Sequence, residues 1–119
     1  MRKAAIFCLI AAICATGNQT PLLKQAPPKE ANRPNPYQDQ ERARQAGQKL
    51  YQRECSSCHG RDAQGTGRAP GLVSPMLRQA PPGAIFWVLR NGSLWRGMPS
   101  FSHLPEQRRW QIVTYLKLL

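Results

Sequence analysis

Toward the end of the chain, Ile112, Tyr115, Leu116 and Leu119 recur at i, i+3, i+4 and i+7, and Trp110 and Val113 widen the same apolar face. This is the spacing of an amphipathic helix. Pro105 suits the first helical position and Glu106 the positive N-terminal end, so the helix is predicted to begin there. Residues 39–54 read the same way. Gln, Glu, Arg, Ala, Lys and Leu favour helix, and Ala43, Ala46, Gly47, Leu50 and Tyr51 share one face. Residues 83–90, Gly-Ala-Ile-Phe-Trp-Val-Leu-Arg, are apolar and ambiguous between strand and helix by period alone. Pro81-Pro82 before them and Asn91-Gly92 after them are helix punctuation, which predicts a short helix. There is no alternating strand pattern and no internal repeat, so the predicted fold is all-α.

The segments between the helical blocks differ in kind. Residues 60–81 carry Gly60, Gly65, Gly67, Pro70, Gly71 and Pro75, and read as loop with a short turn around residues 76–79. A loop of this length makes sense in a small domain if it wraps a cofactor. Residues 18–36 contain Pro21, Pro27, Pro28, Pro34 and Pro36 and show no apolar periodicity. They read as an extended linker, either a tether to a membrane or larger complex or a leader without a role. At the start, Arg2 and Lys3 precede ten apolar residues (4–13), and Ala15-Thr16-Gly17 resembles a small-residue cleavage site. That layout is a secretory signal peptide over 1–17, too short to span a bilayer. Cys14 also fits a lipoprotein acylation site, although Ile13 stands where such signals carry a small residue. The folded domain is then 37–119.

A chain of 119 residues has room for one small domain, which a covalently held cofactor would help to stabilise. Cleavage at Gly17 removes Cys8 and Cys14, leaving Cys55 and Cys58 and no thiols for structural disulfides. The chain has 17 Lys and Arg against 6 Asp and Glu, a formal charge of +11. Such a surface steers acidic partners and equally suits an anionic membrane. Nucleic acid does not fit an exported chain with no basic repeat or recognition motif.

The chemistry is concentrated in Cys55-Ser56-Ser57-Cys58-His59. Two thiols three positions apart, with a histidine after the second, form the pattern that attaches a c-type haem. Each thiol adds across one vinyl group to give a thioether, and His59 is delivered to the iron as proximal ligand. Three other readings compete: a disulfide, a redox dithiol and half of a zinc site. The dithiol reading lacks a βαβ pattern, and the zinc reading is short of ligands. Met98, Met76 and His103 are candidates for the opposite side of the iron. Met98 is favoured because Gly97 lets the backbone approach closely and Pro99 stiffens the loop.

On these residues, 40–119 resembles a class I c-type cytochrome domain, in the form of a compact single-haem bacterial member with three or more helices around one haem c. The resemblance places Gly47 and Tyr51 where the first helix crosses an aromatic of the last, for which Tyr115 fits. It gives Pro70 the role of offering its carbonyl to the His59 imidazole, and Leu72 that of packing on the haem. It matches Gly97-Met98-Pro99 to the family's methionine-ligand loop. Arg90, Asn91, Gly92, Trp95 and Arg96 are candidate donors to the haem propionates. The implied function is one-electron transfer with His59 and Met98 as axial ligands, in the periplasm, free or tethered through Cys14. The implied partners are redox proteins with acidic docking surfaces, either a dehydrogenase donor or an oxidase acceptor in a respiratory chain. The competing function is a haem-based sensor or peroxidase-like protein with a labile distal ligand; carbon monoxide binding to the reduced protein separates the two.

Overall fold

Helix-favouring residues 41–54 and the apolar stripe at 110–116 give two helices that cross at a glycine. A computed structural model describes residues 21–119, so the signal peptide expected over 1–17, Cys14 and the first linker residues lie outside the described part. The helices are α1 Pro28–Ala31, α2 Glu41–Glu54, α3 Ser56–His59, α4 Pro75–Gln79, α5 Pro82–Asn91 and α6 Glu106–Leu116, with 3₁₀ turns at Leu22–Gln25 and Leu94–Arg96. Among the described residues there is no strand, and Ser93 and Met98 form an isolated antiparallel bridge. The fold is the small all-α one that the periodicity predicts.

The α2–α6 crossing is the main packing contact. A Cβ on Gly47 would sit 1.9 Å from the Gln111 carbonyl oxygen and 2.9 Å from Tyr115 Cβ, so the two backbones meet where no larger residue fits. One turn on, the Tyr51 and Tyr115 rings pack 5.4 Å apart at 52°. Ala43, Leu50 and Tyr51 of the predicted α2 face are buried, as are Ile112, Tyr115 and Leu116 of α6.

Helix α5 shows no clean period because it is covered on more than one side. Phe86 stacks on Trp110 of α6, with ring centroids 3.9 Å apart and planes 16° apart. Another side meets α1 and the Leu22–Gln25 turn. The proline-rich segment expected to be an extended linker is therefore packed against the domain from Pro21 onward. Asn35 is buried and its Nδ2 donates to Thr114 Oγ1 at 2.9 Å. The Arg33 guanidinium lies 4.8 Å from the Phe86 ring centre and is ion-paired with Glu106. Single residues of unlike chemistry make these contacts, and a search for periodicity does not see them.

Ser74 caps α4 by accepting from Leu77 N at 3.2 Å, and Pro75 occupies its first turn. At its other end the Lys117 ammonium donates to the carbonyls of Arg78 and of Ala80, the latter at 2.6 Å. Partial burial pushes the Lys117 pKa down.

Candidate functional site

The Cys-x-x-Cys-His run begins as α2 ends. Cys55 N still donates to the Tyr51 carbonyl at 2.8 Å, and the chain then turns once more through α3. One helical turn separates Cys55 from Cys58, so both thiols lie on one side of the chain. Tyr51 Oη donates to the Gly60 carbonyl at 2.6 Å and ties the end of the motif back to α2. Burial pushes the Tyr51 hydroxyl up to about 12, with the Cys55, Tyr115 and Asp62 charges adding to it. Cys55 is buried, and desolvation, then Glu54 and Cys58, push its thiol up to about 12.

The loop after His59 folds back on the motif through its own backbone. Gly65 N donates to the His59 carbonyl at 2.8 Å, Thr66 Oγ1 to the Cys58 carbonyl at 2.5 Å, and Leu72 N to the Ala63 carbonyl at 2.7 Å. These bonds bring the Pro70 carbonyl to 2.8 Å from His59 Nδ1. A carbonyl only accepts, so Nδ1 carries a proton, and the tautomer of the neutral ring that makes this bond has its lone pair on Nε2. Such a bond orients an imidazole and makes it a better metal ligand.

Met98 lies on a loop 39 residues further along the chain than His59. Ser93 N donates to the Met98 carbonyl and Met98 N to the Ser93 carbonyl, both at 2.9 Å, which closes a short loop around the Leu94–Arg96 turn. Gly97, with φ +74°, supplies the left-handed residue that turns the chain back. Phe101 N then donates to the Leu89 carbonyl at 2.8 Å and anchors the loop on α5.

All six residues singled out from the sequence, Cys55, Cys58, His59, Pro70, Leu72 and Met98, line one cavity of about 480 Å³. Ile85, Val88 and Leu89 of α5 supply much of its apolar wall, and Arg68 and Arg96 its cationic part. The three candidates for the second ligand separate. Met98 is half-buried and packs against the core; Met76 lines the cavity but is 56% exposed. His103 stands outside it, with its ring tilted against Phe101 at 6.0 Å. Of the expected propionate donors, Arg96 reaches the wall, whereas Arg90, Asn91, Gly92 and Trp95 do not. The sequence reading missed Arg68, hidden in a Gly/Pro loop, and the Pro21, Leu22 and Leu23 that also line the cavity.

The donor set fits a haem. Two thiols suit the vinyl groups, an imidazole nitrogen and a thioether sulfur suit iron, and the remaining wall is largely apolar. Among the described residues no group of three or more His, Cys, Asp or Glu forms a site for a bare metal ion.

Residues 42–116, well over half of the chain, match the family model described as cytochrome c oxidase, cbb3-type, subunit III. No curated protein matches the sequence. Among solved structures the fold is similar to the crystal structure of cytochrome cL from the marine methylotrophic bacterium Methylophaga aminisulfidivorans, with a TM-score of 0.59 at 23% identity over 69% of this chain. The match spans 56% of that protein, a little over half its length.

Proposed function

We propose that this chain, which belongs to the c-type cytochrome family whose domains hold a covalently attached haem c for electron transfer, is a one-electron carrier with the haem bound to Cys55 and Cys58 and ligated by His59 and Met98. The haem, when bound, supplies a ferrous/ferric couple. The observation that carries the reading is the His59 Nδ1 to Pro70 carbonyl contact of 2.8 Å, in the cavity that also receives both thiols and Met98. Pro70 fixes the imidazole and leaves Nε2 for the iron. The Met98 thioether is a soft donor that favours the reduced state and raises the potential. With His59 and Met98 both holding the iron, the haem would offer no open site to a substrate, which suits a carrier rather than an enzyme. Leu72, Ile85 and Leu89 exclude water, and Arg68 and Arg96 place positive charge where propionates need it.

The setting is the periplasm, reached through the N-terminal leader, with tethering through Cys14 as one form of the mature chain. The partners are redox proteins with acidic docking surfaces, a dehydrogenase donor or an oxidase acceptor. The test is a visible spectrum of the protein made with haem-maturation machinery, oxidised and then reduced. Sharp c-type bands that survive denaturation, together with the oxidised-state band of a methionine–iron bond, are expected. Absence of covalent haem would overturn the reading, and covalent haem without that band would remove Met98 from it.

A further inference from the structure

We infer that residues 21–36 form a strap that completes the haem cavity, and that Leu22 and Leu23 are positioning residues which keep water from the group it holds. This rests on the cytochrome reading above and extends it to a segment outside the residues 42–116 that the family model matches.

Pro21, Leu22 and Leu23 line the same cavity as His59 and Met98. Leu23 packs against the main apolar core, and both leucines are half-buried, so they stand between the cavity and solvent. They are held there from three places further along the segment. The carbonyl oxygens of Glu30 and Ala31 approach α5 so closely that a Cβ on Gly83 would lie 2.2 and 2.6 Å from them. The Arg33 guanidinium stacks over the Phe86–Trp110 pair, 4.8 and 5.6 Å from the ring centres, and its ion pair with Glu106 reaches the start of α6. Asn35 spends its buried side chain on Thr114, and its Oδ1 accepts from Tyr37 N at 2.9 Å. A buried amide left without partners is costly, so this pairing selects one docked position. Prolines 21, 27, 28, 34 and 36 restrict φ along the segment and reduce the entropy lost on docking.

A tether needs no glycine notch, no buried amide pair and no leucines in a cofactor cavity. A strap needs all three. Its effect on the couple follows from solvation: water near the iron stabilises the more charged ferric form, so a dry wall favours the ferrous one.

The experiment uses the full chain with covalent haem. In the double variant Leu22→Ser, Leu23→Ser, the haem stays attached while the midpoint potential shifts downward. Leu118→Ser serves as the control, because Leu118 is an exposed leucine that does not line the cavity, and its potential stays at the wild-type value. Equal potentials in the double variant and the wild type overturn the strap and leave the cytochrome reading intact. A wild-type protein without covalent haem overturns both. Should the double variant fail to fold, hydrogen exchange on the wild type decides. The amides of Lys24, Ala31 and Asn32, which bond to the carbonyls of Pro21, Pro27 and Pro28, exchange more slowly than in the free peptide. Free-peptide rates at all three would mean an undocked segment and no strap.

Discussion

Met98→Ala takes the sulfur out of the cavity wall and leaves Cys55, Cys58 and His59 untouched. The expected protein keeps covalent haem, loses the methionine–iron band, has a lower potential and binds added imidazole; redox titration and ligand titration check this, and an unchanged potential would remove Met98 as ligand. Tyr51 gives a second prediction. Its hydroxyl is held up at about 12 in the folded protein, chiefly by burial, against 10.0 for an unperturbed tyrosine. As pH rises past 10 the unfolded chain loses this proton first, so the stabilisation is complete below 10 and lost on the way to about 12. Tyr51→Phe should flatten the alkaline fall in stability between pH 9 and 12, read by chemical denaturation at each pH. At neutral pH it should cost about 1 kcal/mol for the bond to the Gly60 carbonyl. At this scale the sequence was legible where function follows chain order. Cys55, Cys58 and His59 lie within one turn, and their chemistry dictates their spacing. Arg68, Leu22 and Leu23 reach the cavity only through folding of distant segments, and nothing beside them in the chain marks them.

Helices α2 and α6 were legible because each buries one face and exposes the other, which writes a period into the sequence. Helix α5 was read from its punctuation, since a helix covered on several sides has no polar stripe to mark its turns. Its Gly83 looks like the first residue of an apolar run, yet in the fold it is the notch that receives α1. Gly47 has the corresponding part in the α2–α6 crossing, and Gly47→Ala drives a methyl group into the Gln111 carbonyl. Neither backbone yields cheaply, so the variant should lose about 3 kcal/mol, measured as a drop in denaturation midpoint with the haem still attached. A loss under half a kcal/mol would mean the crossing is looser than 1.9 Å implies. Asn35→Ala probes the N-terminal segment. It leaves Thr114 Oγ1 without its donor and should cost about 1–2 kcal/mol. Thr114→Val, made in the Asn35→Ala background, should add less than it does alone, because the two side chains share one bond.

The charge of the whole molecule is not distributed for stability. Residues 21–119 hold 15 Lys and Arg against 6 Asp and Glu. Among the described residues, Arg33, Arg44 and Arg53 form four ion pairs with Glu30, Glu106, Glu41 and Glu54. Surface pairs of that kind contribute about 0–1 kcal/mol each. The excess of positive charge gives a long-range field, which would serve encounter with the acidic partners proposed above. Arg68 and Arg96 stand in the cavity wall, and Leu94 and Trp95 project into solvent from the same turn as Arg96, with Trp95 fully exposed. An apolar tip beside arginines suits brief contact with an acidic redox protein, in which charge speeds approach and a tryptophan supplies contact area. The reduced cytochrome, mixed with an acidic electron acceptor, should transfer electrons fastest at low ionic strength. The second-order rate constant should then fall by about tenfold or more as salt shortens the screening length toward ~10 Å at 0.1 M. Arg96→Glu should slow the reaction at low salt and make it less sensitive to salt. Arg42→Glu carries the same charge change on α2, among residues that do not line the cavity, and should do less. Equal effects from the two variants would mean that net charge alone steers the partner, with no preferred face. A rate indifferent to salt would mean that the basic surface has no part in partner encounter.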